Sequence, residues 1–190
     1  GTYCPYENAF YFNPFVAPYD ENGNYVYDID IQGKGDSDLM FNVFEERNNT
    51  SYEQTTNALS AIFDVELRFN DRFKATSQVG MQLDAVSKES IADHDTYAMR
   101  KDKEFTTIAS LGNKSFLPDG GKHTEAANTN SQINWKTQAE YRDSYNDIHE
   151  FEMMAGTEIR KTWYNSLNST GYGFDRKTLT TKPVIFPNES

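Results

Sequence analysis

Between Asn57 and Val86 the polarity of the chain alternates with a period of two. Leu59, Ala61, Phe63, Val65, Leu67 and Phe69 fall on one face, and Ser60, Ile62, Asp64, Glu66 and Arg68 on the other, because successive side chains of a strand point to opposite sides. After the polar triplet Asn70-Asp71-Arg72 the pattern returns. Phe73, Ala75, Ser77, Val79, Met81, Leu83 and Ala85 oppose Lys74, Thr76, Gln78, Gly80, Gln82 and Asp84. This predicts a long hairpin with one apolar face, one charged face and a tight polar turn. Each strand is at least twice the usual length of about 5–6 residues.

A second hairpin follows the same rule. Ile133, Trp135, Thr137, Ala139 and Tyr141 oppose Asn134, Lys136, Gln138, Glu140 and Arg142. Past a short turn near Asn146-Asp147, Phe151, Met153, Ala155, Thr157 and Ile159 oppose Glu150, Glu152, Met154, Gly156, Glu158 and Arg160, with Trp163 and Tyr164 beyond them. Between the hairpins, residues 87–131 read as a long polar connection, with a turn at Pro118-Asp119-Gly120-Gly121. Residues 165–190, with Gly171-Tyr172-Gly173 and Pro183, read as another loop. Residues 1–56 read as irregular. Asn13-Pro14 and Ala17-Pro18 break structure, Asp20–Asn24 form a turn, and Tyr25, Tyr27, Ile29 and Ile31 share one face of a short loop hairpin. Gly33-Lys34-Gly35-Asp36 reads as a linker, and Glu45–Gln54 as a polar lead-in to the first long strand.

Two architectures fit this pattern. Strands that cross a bilayer need about 9–11 residues and a tilt, and the aromatics Phe69 and Phe73 stand where an interfacial girdle would place them. A soluble β-sandwich would instead cover the apolar face with a second sheet. The order of connections favours the barrel. Short turn, long loop, short turn, long loop is the layout of outer-membrane barrels, and a compact soluble domain rarely carries so long a loop. A barrel needs at least eight strands and open edges are not tolerated in lipid, so this reading makes the chain a section of a longer protein.

Composition narrows the function classes. The chain has 190 residues and a net charge of −11, which argues against nucleic acid as a partner because phosphate contacts need a basic surface. It has no leader-type segment and no run of about 18 apolar residues that would make a transmembrane helix. The mean hydropathy of −0.78 leaves a barrel open, since lumen and outer loops are polar. Cys4, the single cysteine, has no partner for an internal disulfide or a zinc site.

Candidate chemistry is sparse. Asp20, Asn22 and Asn24 imitate the opening of a calcium loop, but Tyr25 stands in the glycine position and Ile31 in that of the glutamate. His94, His123 and His149 are scattered. They are expected to be solvated loop residues, with a joint metal or catalytic role for His94 and His123 as the alternative. Asp64, Glu66, Glu140, Glu150, Glu152 and Glu158 share the polar strand face. They would either hydrate a solute path or pair across strands with Arg68, Lys74, Lys136, Arg142 and Arg160. No catalytic, cofactor-binding or metal site is expected, and no substrate-binding residue is assigned. A surface hydrolase would need a carboxylate pair that the spacing does not supply.

Several segments resemble one family. NPFVAPYDENGNY (13–25), NNTSYEQTTNALSAIFDVELRFNDRFKATSQVG (48–80), FLPDGG (116–121), NWKTQAEY (134–141), HEFEMMAGTEIRKTWYNS (149–166) and GYGFDRKTLTT (171–181) are similar, in order, to the SusC/RagA family of TonB-dependent outer-membrane transporters of Bacteroidetes. The resemblance implies an all-β, antiparallel segment of a 22-stranded transmembrane barrel located in the cell outer membrane. It would act in nutrient uptake rather than as an enzyme, and would hold no cofactor. The implied partners are the lipid bilayer, a SusD-like surface lipoprotein, an oligosaccharide or peptide solute, and TonB through an N-terminal part that carries the plug. The division implied is 1–56 extracellular loop region, 57–86 barrel hairpin, 87–131 extracellular loop, 132–164 barrel hairpin and 165–190 a truncated extracellular loop. The alternative kept beside it is a soluble all-β glycan-binding or adhesion module.

Overall fold

In the two long hairpins strand forms where the sequence alternates, and continues well past the alternation. The protein is described here by a computed structural model that covers residues 15–27, 40–109, 112–146 and 148–186. In chain order the elements are α1 (Val43–Asn49), β1 (Thr50–Arg68), β2 (Phe73–Ala92), α2 (Tyr97–Phe105), β3 (Thr107–Ile108), β4 (Lys114–Ser115), β5 (Gly121–Tyr145), β6 (His149–Asp175) and β7 (Thr180–Lys182). One five-stranded sheet has the order β1-β2-β5-β6-β7, and β3 pairs with β4 in a two-stranded ribbon. The fold is mostly antiparallel β-sheet. No helix among the described residues is long and apolar enough to cross a membrane, which says nothing of a crossing by strands.

The chain divides into two compact units, and both draw on the long strands. A strand unit comprises Thr55–Ser87 and Ala127–Leu167; a loop unit comprises Gly1–Gln54, Lys88–Ala126 and Asn168–Ser190.

In the strand unit the two turns are where the sequence puts them. At the first, the Asn70 carboxamide oxygen accepts from the backbone N–H groups of Arg72 and Phe73 at 3.0 and 2.7 Å, and the Phe69 N–H reaches the Phe73 carbonyl. A short polar side chain thereby replaces main-chain bonds that so tight a reversal cannot make. The second turn uses Asn146 with a φ of 57°, a conformation asparagine tolerates better than most residues.

The loop unit holds the core. Phe41, Met99, Leu117 and Phe174 are its buried apolar side chains, and Phe41 meets the Tyr97 ring edge-on at 5.4 Å. Both helices lie in stretches expected to be polar loop. Asn42 caps α1, accepting from Phe44 and Glu45 N–H while its amide donates to the carbonyls of Pro18 and Val26 at 2.8 and 2.7 Å. Thr96 caps α2 through Met99 N–H. Each cap supplies an acceptor to N–H groups that a helix start leaves unpaired.

The boundaries of the long strands therefore move. β2 runs to Ala92 and β5 starts at Gly121, so the expected connection 87–131 shrinks to residues 93–120 and contains α2 and the β3–β4 ribbon. β6 continues to Asp175, eleven residues beyond the expected hairpin end at 164. The physical reason is the same in each case: segments such as Thr124–Ser131 are polar on both faces, so no period marks them, yet a neighbouring strand offers a complete ladder of backbone partners. The Tyr19–Tyr25 bridge closes the Asp20–Asn24 turn as expected. Cys4, Asn13-Pro14, Ile29, Ile31, the Gly33–Asp36 linker and Asp147 lie outside the described residues.

Candidate membrane-facing surface and polar wall

Side-chain contacts in the strand unit show that the alternation is kept in register across the sheet. On the face of the even-numbered positions, Gln78 donates to Asp64 at 2.7 Å and Lys74 lies 3.2 Å from Glu66, joining β1 to β2. On the same face Arg142 pairs with Glu152 at 3.0 Å, joining β5 to β6. On the face of the odd-numbered positions the Trp135 indole N–H donates to Ser77 at 3.0 Å, and Ser77 lies 3.2 Å from the Thr137 hydroxyl, joining β2 to β5. One polar face and one apolar face thus run coherently over four strands.

The apolar face is uncovered. Leu59, Phe63, Leu67, Trp135 and Ile159 are between 49% and 65% exposed, and among the described residues no buried apolar side chain belongs to the strand unit. Contiguous apolar surface beyond a few hundred Å² marks a contact with lipid or another macromolecule. Aromatic side chains gather at both ends of the stripe. Phe69 and Phe73 pack ring to ring at 5.4 Å beside the first turn. Beyond Ile159, the Lys161 ammonium sits 4.8 Å over the Trp163 ring, a favourable pairing of cation and π-face. The two hydroxyls and the indole N–H on this face satisfy one another, which lowers the cost of leaving water. The edges are open too: within the sheet β1 pairs on one side alone, and β7 meets β6 through Tyr172 and Asp175.

The opposite face is a network of ion pairs. Glu66 is held by Arg68 at 2.7 Å as well as by Lys74, and Glu158 by Arg160 at 3.1 Å. Four of the five expected cations are paired, though Arg68 and Arg160 pair along their own strands rather than across. At the turn end, an open cleft of about 520 Å³ is lined by Arg68, Arg72, Lys74, Glu140, Arg142 and Glu152, and Arg72 also reaches Asp143 at 3.3 Å. Such pairs stiffen a wall and present water with fixed charges of both signs. Exposed pairs of this kind each add little stability.

The remaining candidates separate. Asp20 spends its carboxylate on its own turn, accepting from Asn22 N–H, Asn24 N–H and the Asn24 amide at 2.8–3.0 Å. The Asn24 side-chain and backbone bonds hold its carboxyl below the usual range, and together these bonds close the turn. His94 lies beside Asp95 in the loop before α2, and His149 starts β6. His123 is no solvated loop residue, because β5 begins at Gly121; its side chain is 19% exposed and its ring lies 4.7 Å from that of Phe174. The alternation gave no hint of its neighbour Glu89, which lay in the stretch read as loop. The chain matches no protein-family model and no curated protein sequence.

Proposed function

We propose that this chain forms part of the wall of a transmembrane β-barrel in the cell outer membrane, in a TonB-dependent nutrient transporter of SusC/RagA type. The uncovered apolar face of the strand unit carries the reading. The alternating stretches 59–69, 73–83, 133–141 and 151–159 match the roughly 9–11 residues that a tilted strand needs to cross the hydrocarbon. Two tight turns joining paired long strands, a charged opposite face and aromatic ends to the apolar stripe are the other marks of a barrel wall. The open edges of β1 and β6 call for further strands, since unpaired backbone is not tolerated in lipid, and a 22-stranded barrel of the family would supply them. In this reading the chain is not an enzyme. It supplies lipid-facing strands, a polar lumen wall and outer loops for uptake of oligosaccharides or peptides, with a SusD-like lipoprotein above and TonB acting through a plug elsewhere in the transporter.

Sedimentation of the purified chain with and without detergent tests this. The chain should stay dispersed in detergent or lipid vesicles and aggregate in plain buffer. A monodisperse 21.8 kDa species stable in buffer would overturn the barrel and favour a soluble all-β glycan-binding or adhesion module.

A further inference from the structure

Within the loop unit, three side chains with metal-ligating atoms meet on one face of the β2–β5 pair. His123 and Glu125 are two apart on β5 and share a face, and Glu89 stands on β2 beside them. His123 Nε2 is 2.8 Å from Glu89 Oε1 and 3.8 Å from Glu125 Oε1, and one donor atom from each of the three lies within 4.8 Å of the others. The Phe174 ring against the imidazole, at 4.7 Å and an interplanar angle of 32°, fixes the direction of the nitrogen. The strands are held close here as well. A Cβ on Gly121 would stand 2.4 Å from the Ala92 carbonyl oxygen, so the two backbones approach as only glycine permits.

The charge of the cluster is unbalanced. Among the described residues no lysine or arginine forms an ion pair with Glu89 or Glu125; their ion-pair partner is His123. Two carboxylates flank one imidazole, and among the described residues no lysine or arginine pairs with them to answer their repulsion. A divalent ion would answer it while using all three donors.

We propose that Glu89, His123 and Glu125 form a binding site for one first-row divalent transition-metal ion, with Zn²⁺ the ion the donor set fits. Zinc takes imidazole nitrogen and carboxylate oxygen at about 2.0–2.2 Å in a tetrahedron, which puts neighbouring donor atoms roughly 3.3 Å apart. The observed separations of 2.8 and 3.8 Å bracket that value. Both glutamate side chains are about half or more exposed, at 47% and 66%, so closing the shell takes only their rotation, with water as the fourth ligand. Calcium, which takes about six to eight oxygens, fits less well, and an imidazole donor favours zinc and its neighbours over calcium or magnesium. The bound ion would clamp β2 to β5. This assignment does not depend on the barrel reading.

Equilibrium dialysis of the full, tag-free chain, kept dispersed in detergent, against ZnCl₂ in chelator-free buffer tests it, with His123→Gln, Glu89→Gln and Glu125→Gln alongside. One ion per chain should bind in the micromolar range. His123→Gln should abolish this binding, and each glutamine replacement of a glutamate should weaken it by at least about tenfold, since removing even an outer-shell partner costs about 10–100-fold. Glu125→Gln alters a side chain that is 66% exposed, so its result does not hinge on folding. Absence of saturable binding below about 1 mM, a loose affinity of roughly −4 kcal/mol, would overturn the site and leave a plain imidazole–carboxylate pair. Wild-type affinity in both glutamate variants would overturn it equally, by reducing the binding to an adventitious one at a lone histidine.

Discussion

Glu46 is the residue whose surroundings most change its chemistry. It is 2% exposed at the inner side of α1 and accepts the backbone N–H of Tyr97 at the start of α2. Burial pushes its carboxyl up to about 7, against the pull of the Tyr97 N–H and of the Arg100 guanidinium, with the neighbouring Glu45 carboxylate adding to the rise. A carboxyl held near 7 in the folded chain and near 4.5 in the unfolded one binds its proton more tightly when folded. Stability is then greatest below pH 4.5, falls as pH rises to about 7, and levels above that. The span corresponds to roughly 3 kcal/mol. Glu46→Gln keeps an oxygen for the Tyr97 N–H and has no proton to lose, so thermal unfolding of this variant should show a flatter pH slope between 4.5 and 7 than the parent. An unchanged slope would assign the effect to another group. None of this was legible in the sequence, where Glu45 and Glu46 read as part of a polar lead-in to the first long strand. The spacing of Asn42 and Glu45 is a helix-start signal that the polar lead-in reading passes over, whereas the contacts of Tyr97 and Arg100 with α1 leave no mark in the sequence.

At the scale of elements, legibility followed the presence of a single dry face. Where one face is apolar, as from Leu59 to Ala85 and from Ile133 to Ile159, period and turn residues located the strands, their faces and their partners. Where both faces are polar, as along Thr124–Ser131, strand carries on unseen, because backbone pairing leaves no mark on side-chain polarity. The histidine and two glutamates came together only because those unseen extensions bring β2 and β5 side by side. The faces can be tested by two neighbouring substitutions on β1. Val65 is 54% exposed on the apolar face, and Val65→Arg, near the middle of the alternating stretch 59–69, should block assembly at a cost of roughly 2–4 kcal/mol if that face meets lipid. Glu66→Gln, on the opposite face, should be tolerated. Outer-membrane fractionation of the two variants reads the difference, and normal insertion of the arginine variant would reverse the assigned orientation.

For the whole molecule, the sequence allowed two environments for the same sheet, and the choice turns on what covers the apolar stripe. Among the described residues the buried apolar side chains all belong to the loop unit, so the net charge of −11 and an uncovered stripe coexist in one chain. A soluble protein would bury such a stripe, whereas a barrel turns it to lipid and keeps its charge for lumen and loops. One further consequence concerns where this chain can change length. The connection between β2 and β5 spans residues 93–120, and the entropy of closing it grows only with the logarithm of its length, so doubling it costs about 0.6 kcal/mol. The turn at Asn70 is different, since any insertion there breaks the two bonds its side chain accepts and the Phe69–Phe73 contact. A ten-residue epitope placed after Gly112, an exposed position where an added Cβ would meet nothing within 4 Å, should shift the unfolding temperature by no more than about 2–4 °C. The same epitope after Asp71 should shift it further. Length, and with it whatever new recognition extra residues bring, can accumulate in the long connection while the hairpins stay fixed.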